Sequence, residues 1–529
     1  MSPALSAPTF DVSTPKGIDF ILEHSPTPKK YLIETMGGGV GLLDYNNDGL
    51  LDVFFVNGGK ITPEMPEPLN FDRDNPKYWN RLYQQNKDGS FTDVTEAAGL
   101  SHAGNGNYGM GVAIGDYDND GYPDIYVTNY GKNTLYHNNG NGTFTDVTTK
   151  AGVAAGSWSE SAGWLDYDND GYLDLFVTRY MEWDPAHNKD CGGFFHTYCP
   201  PAEYPMISNI LYHNNHDGTF TDVSKAAGID KKARSLGVAF EDYDDDGYTD
   251  IMVANDAMQE YLFHNNKNGT FTEVGLDAGV GFTDNGSPVS GMGVDFRDYD
   301  NDGKPDIVIT DLARQVYALF HNDGNGMFSY RSMETGLGML TAGSSGWGMR
   351  LEDFDNDGWK DLFVVQSHVM DNVDKVTPTI HYLQPPMLAF NRHGRFEAGD
   401  PGTDKAVASR GAAFGDINND GWMDVIESAY DQHPIMFLNR GGKAHWLTIS
   451  LRGTMSNRDG YGARVYVNGQ RQFCEAGGSY LSSSDKRVHF GLGDATTADV
   501  EVIWPSGIHQ VIKGVKADQF LQMVEPEKP

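Results

Sequence analysis

The amino-acid sequence predicts an all-β chain: a seven-bladed β-propeller followed by a small β-sandwich. Three observations carry that reading. A nine-residue acidic motif recurs seven times, each copy sits inside a four-strand pattern, and from residue 444 onward the motif disappears while short strands continue.

The motif is D-x-[DN]-x-D-G-x-x-D, with copies 50 to 76 residues apart. Its first, third, fifth and ninth positions carry side-chain oxygens. These are Asp44, Asn46, Asp48 and Asp52 in the first copy, Asp116, Asp118, Asp120 and Asp124 in the second, and Asp166, Asp168, Asp170 and Asp174 in the third. Asp242, Asp244, Asp246 and Asp250 follow, then Asp298, Asp300, Asp302 and Asp306, then Asp353, Asp355, Asp357 and Asp361, and last Asp416, Asn418, Asp420 and Asp424. The sixth-position Gly permits the sharp turn that aims these oxygens at one centre. Seventh positions are Leu50, Tyr122, Tyr172, Tyr248, Lys304, Trp359 and Trp422, which share no chemistry, as a ligand that is only a backbone carbonyl allows. Carboxylates so close repel one another unless a cation joins them, and seven oxygen cages predict up to seven structural Ca2+ ions. An EF-hand is excluded: position 12 is Phe55, Val127, Val177, Val253, Ile309, Val364 or Glu427, and each loop runs into a strand.

Around each loop lies a longer unit, clearest from Gly109 to Val153. GVAIGDY enters the loop, DIYVTNY leaves it, TLYHN follows, and an Asn/Gly turn reverses into TFTDV. Seven such units predict a closed ring, because an open array would expose its edges. The final FTDV-like strand is missing after IMFLNRGG, whereas Thr9-Phe10-Asp11-Val12 has no blade of its own. The expected propeller is therefore residues 1–443, with the segment near 9–12 closing the last blade. In residues 444–529, HWLTISL, ARVYV, RVHFGLG, VEVIWPSG and QVIKGV read as strands of the sandwich.

The repeated loops with their FTDV strands resemble the FG-GAP/VCBS repeats of integrin α-subunit propellers. NRDGYGARVYV, GGSYLSSSDKRVHFGLG and VEVIWPSG resemble the ASPIC/UnbV domain, and the combination resembles the cartilage acidic protein family and its microbial relatives. The resemblance implies Ca2+ in the blade loops and frequent export. It implies little about activity, since such propellers include adhesion proteins, a sugar dehydratase and companions of natural-product biosynthesis.

With 39 Lys plus Arg against 74 Asp plus Glu, the formal charge is -35, which disfavours nucleic acid and anionic membranes as partners. No apolar run is long enough to span a membrane. The opening MSPALSAPTFDVSTPKG has neither a basic nor an apolar leader region, so this chain shows no signal peptide. Cys191 and Cys199 bracket one short loop, where a disulfide is the favoured reading and a metal site with His187 and His196 the alternative; Cys474 reads as a buried thiol. A disulfide and the family resemblance point to export, with a cytoplasmic location as the alternative.

Insertions at 59–80, 181–208 and 369–385 all follow a second strand, so they crowd the face opposite the acidic loops. Long loops gathered over one mouth of a rigid ring favour a small-molecule site. Residues just before first strands or just after second strands ring that mouth. From them Arg234, Arg410, Arg179, His368, Glu34 and Tyr180 are the catalytic candidates, offering acids, cations and phenols in one concave place. No P-loop, H-E-x-x-H or G-x-S-x-G motif occurs, which leaves a lyase or cyclase without organic cofactor, working by elimination, isomerisation or cyclisation. The alternative is a secreted calcium-binding adhesion or interaction protein that engages a protein or glycan without catalysis.

Overall fold

The run that leaves each acidic loop becomes the second strand of a four-stranded antiparallel sheet. In the computed structural model, which describes residues 9–527 apart from 63, 66–70, 72 and 102–105, there are seven such sheets in the propeller. The second is typical: Tyr108–Gly115, Asp124–Tyr130, Thr134–Asn138 and Phe144–Asp146 pair in sequence order. Every residue of Asp124–Tyr130 is buried, because neighbouring sheets cover both faces, and this is why DIYVTNY is nearly continuously apolar. Between the first and second sheets, Leu43, Phe54 and Leu82 share one core with Val112, Ile125 and Phe144. The seventh sheet takes its fourth strand from Phe10–Ser13, in register from Phe10 opposite Asn439 to Ser13 opposite Met436.

A polar girdle joins the sheets. The Asn ending each third strand donates to a backbone carbonyl in the preceding sheet's acidic loop, as in Asn138 to Tyr45 (2.9 Å) and Asn439 to Phe354 (2.8 Å). Gln85 takes that place in the first sheet and donates to Ile417 of the seventh (2.9 Å), so the pattern runs round the ring. These bonds are buried, and each contributes about 1 kcal/mol.

Beyond the propeller, a three-stranded sheet centred on His445–Arg452 and a four-stranded sheet containing Arg464–Val467 enclose Leu447, Ile449, Val465, Phe490, Val500 and Trp504. That core continues into Ala113, Tyr126 and Trp164 of the propeller. The connection at 474–487 enters the propeller's axis. Val112 N donates to Leu481 O (2.9 Å), Gly478 N to Val238 O (2.8 Å) and Asp485 N to Phe414 O (2.9 Å), so one segment touches the inner strands of several sheets. A Cβ on Gly39 would overlap the Leu481 carbonyl, which accounts for glycine immediately before the inner strand Val40–Leu43.

Candidate functional site

Each acidic loop is shaped by its own backbone. In the second, Asp116 Oδ1 accepts from Asp120 N (3.0 Å) and Oδ2 from Gly121 N (2.7 Å), while Asp120 Oδ1 accepts from Tyr122 N (2.8 Å). Asp124 accepts from Asn138 N (2.8 Å) and Tyr117 N (3.3 Å), tying the loop to the third strand. Burial pushes the ninth-position carboxyls up, Asp52 to about 8 and Asp124, Asp250 and Asp306 to about 7. The buried oxygens Asp298 Oδ1 and Asp355 Oδ1 have no hydrogen-bond partner among the described residues. Hard oxygen donors so arranged fit a divalent cation of the calcium type. In four sheets an imidazole adds to the cluster: His137, His213, His264 and His321 lie 3.2, 3.2, 3.4 and 3.0 Å from the ninth-position carboxylate.

The loops are also joined to one another. Asn47, at the fourth motif position with φ +57°, donates to Gly121 O in the next loop (2.9 Å), and Asn119, Asn169, Asn301, Asn356 and Asn419 repeat the bond. The fourth loop has Asp245 there, which cannot donate. Arg464 of the C-terminal domain lies 3.0 Å from Asp245 and 3.1 Å from Asp242, and Arg471 reaches Asp245 (3.4 Å) and Glu241 (3.0 Å). Arg487 donates to Asp416 O at the seventh loop (2.9 Å). The C-terminal domain thus docks on the acidic face with arginines.

On the opposite face, Cys191 and Cys199 form a disulfide. The histidines of the alternative metal reading turn elsewhere, His187 to Asp184 and His196 to Asp190. Beside this loop is a cavity of about 350 Å3. Its apolar wall includes Leu32, Met36, Leu236, Met292 and Trp347; its polar groups are Tyr180, Tyr198, Asp256, Ser290 and His368. Two insertions border it, through Tyr198 and Cys199 and through Val369 and Met370. The first insertion, part of which lies outside the described residues, packs Phe71 against Tyr108 instead (5.4 Å between rings).

The FG-GAP-like repeat model matches residues 44–127, 116–177, 208–253, 242–309 and 298–364, more than half of the chain. The chain belongs to the FG-GAP-like repeat family. An ASPIC and UnbV model matches residues 453–529 of this FG-GAP protein. Cartilage acidic protein 1 of Mus musculus is 26% identical over 317 residues, covering 58% of this chain and 47% of the relative. The Homo sapiens protein of the same name is also 26% identical over 317 residues, covering 58% and 46%. The chain spans about half the length of the curated relatives it matches. Among solved structures, a Bacillus licheniformis rhamnogalacturonan lyase aligns over 97% of this chain and 93% of its own at 13% identity and a TM-score of 0.34, too distant to inform function.

Within the FG-GAP propeller the six catalytic candidates separate. Tyr180 and His368 line the cavity. Tyr180 donates to Asp256 Oδ2 (2.6 Å). His368 Nδ1 accepts from Met370 N (3.0 Å), and burial together with nearby Arg410 pulls the ring down to about 4, so it is neutral at pH 7. Glu34 is one residue removed, accepting from Tyr198 OH (3.0 Å) and Thr27 Oγ1 (2.5 Å). Arg410 is buried outside the lining, with Nε on Thr35 O (2.7 Å) and its guanidinium 4.2 Å from the Trp347 ring. Arg234 and Arg179 hold the second insertion through Pro201 O (3.0 Å) and Ser208 O (2.5 Å). Sequence reasoning missed Trp347, Tyr198 and Tyr480. No periodicity or motif marks them; Tyr480 sits 5.0 Å from the Trp347 ring although 133 residues separate them.

Proposed function

We propose that this protein is a secreted, calcium-stabilised interaction protein whose working surface is the inserted-loop face. One observation carries the reading. With the C-terminal domain seated on the acidic loops, the disulfide-closed loop on the other face holds Phe194 96% exposed and Phe195 45% exposed, their rings 5.3 Å apart. Exposed aromatics on a short cross-linked loop have the character of interface anchors, giving large contact area at small entropic cost. The disulfide supports an oxidising compartment. Among the described residues no helix is long and apolar enough to cross a membrane. Calcium in the seven loops would stiffen the ring and leave the chemistry of binding to the far face. The test is binding to immobilised glycans and to extracellular matrix proteins. Phe194→Ala/Phe195→Ala should lose at least about tenfold in affinity with an unchanged melting temperature; full binding by that variant overturns the reading.

The cavity on the inserted-loop face favours a second role, binding of a small organic molecule, with lyase or cyclase chemistry free of organic cofactors as its catalytic form. Tyr180, Asp256 and His368 would then supply proton transfer, with Glu34, Arg179, Arg234 and Arg410 as positioning residues. Native mass spectrometry of protein purified from its own host tests this role. A retained mass of a few hundred daltons supports it, and protein plus calcium alone counts against it.

A further inference from the structure

The inserted-loop cavity differs in chemistry from its surroundings in a way that names a ligand class; the inference rests on the small-molecule role above. We infer that the cavity takes an apolar molecule carrying a single cationic nitrogen, with Asp256 as its counter-ion.

The walls supply the apolar part. Met36, Leu236 and Met292 are buried and line a volume of about 350 Å3, within the range of sites that enclose a small organic molecule. Of the described lining residues, Asp256 alone carries a carboxylate and none is Lys or Arg. His368 adds no charge, because its Nδ1 accepts from the Met370 amide and the neutral ring keeps its proton on Nε2. Asp256 has one oxygen on the Tyr180 hydroxyl (2.6 Å). The guanidinium whose charge acts on Asp256 is that of Arg234, not itself a lining residue, whose Nε donates to the carbonyl of the lining residue Pro201 (3.0 Å). Further acids stand just beyond the wall. Asp311 accepts from Ser290 N (3.1 Å), and Glu34 accepts from Tyr198 OH (3.0 Å). Burial raises the affinity of both Asp256 and Asp311 for protons, and at Asp256 it outweighs the Tyr180 hydrogen bond and the charge of Arg234 together.

Of the rings that border the cavity, Trp347 and Tyr198 already carry a cation, Arg410 at 4.2 Å and Lys30 Nζ at 5.0 Å, so the carboxylate of Asp256 and the Tyr180 ring carry the assignment. A carboxylate ligand would meet Asp256 directly, at a cost no wall residue offsets. A neutral alcohol would be accepted without the ionic gain.

The decisive comparison uses three probes of one shape, 4-phenylbutylamine, 4-phenylbutanol and 4-phenylbutyrate, titrated calorimetrically into the full-length, calcium-loaded protein. The amine should bind about tenfold or more tightly than the acid, with the alcohol between them. Asp256→Asn should abolish that ranking, and Met292→Trp should block all three by filling the cavity. Equal or tighter binding of the acid by the unaltered protein overturns the cationic assignment while leaving a small-molecule site in place. Binding that survives Met292→Trp, or no binding by any probe, overturns the assignment together with the role on which it rests. The ranking is read on the unaltered protein, so it stands whether or not either variant folds.

Discussion

Tyr480, carried into the propeller's axis by the C-terminal domain, donates its hydroxyl to Glu160 Oε2 at 3.3 Å. Both residues are fully buried, and Trp158 Nε1 donates to the other oxygen of Glu160. A residue of one domain therefore fills the centre of the other. Tyr480→Ala should cost about 3–5 kcal/mol, the range for truncating a large buried ring, read as a shift in the urea midpoint with unchanged slope. A loss below about 1 kcal/mol would mean the axis does not depend on this side chain.

Glu160 itself predicts a pH effect. Burial outweighs its two donors and pushes its carboxyl up to about 8. A carboxyl whose folded value lies above its unfolded one holds a proton in the folded state that the unfolded chain releases. Its contribution to stability is therefore complete below about pH 4.5 and is lost as pH rises to about 8, with a slope of at most about 1.4 kcal/mol per pH unit. Glu160→Gln lacks that loss, so its stability relative to the parent should rise between about pH 5 and 8 and level off above. A difference independent of pH would show that Glu160 stays ionised.

Arg471 and Glu241 form an ion pair at 3.0 Å with both side chains 1% exposed. Removing one partner leaves the other charge buried, so Arg471→Gln should destabilise by about 3–5 kcal/mol, more than the loss of an exposed charge. Arg440, paired with Asp11 and more than half exposed, is the control, and Arg440→Gln should change stability by less than about 1 kcal/mol.

Chelation should act on both domains. A cation bound at a hundred times its Kd adds about 2.7 kcal/mol to stability per site. EGTA should lower the melting temperature, and limited proteolysis should then cut the 453–463 stretch faster, because Arg464 and Arg487 dock on the loops that a bound cation would order. Metal analysis counts the ions; an unchanged melt would show that the loops hold their shape without calcium.

Much of this was legible in the chain. The seven loops and four-strand units follow from local rules: a sixth-position Gly, a first-position Asp that accepts from amides four and five residues on, and a strand that must begin where the loop ends. The Cys191–Cys199 pairing was legible for the same reason, a separation of only 8 residues. The cavity was harder. Tyr180 and His368 face it, whereas Arg179 and Arg234, chosen by the same positional rule, spend Nε on backbone carbonyls of the second insertion. A sequence position specifies the face of the ring on which a guanidinium emerges, not the acceptor it finds.

By itself the sequence determined the repeat, the acidic loops and the family, because each depends on residues within one blade. Only the tertiary structure decided that 474–487 bonds to the inner strands of several sheets, that arginines of the C-terminal domain meet the loops, and that Asp256 is the one carboxylate among the described residues of the cavity wall. Those outcomes depend on groups brought together across long separations, 320 residues for Tyr480 and Glu160, where no local propensity or periodicity leaves a mark and only packing and the pairing of buried charge choose the partner.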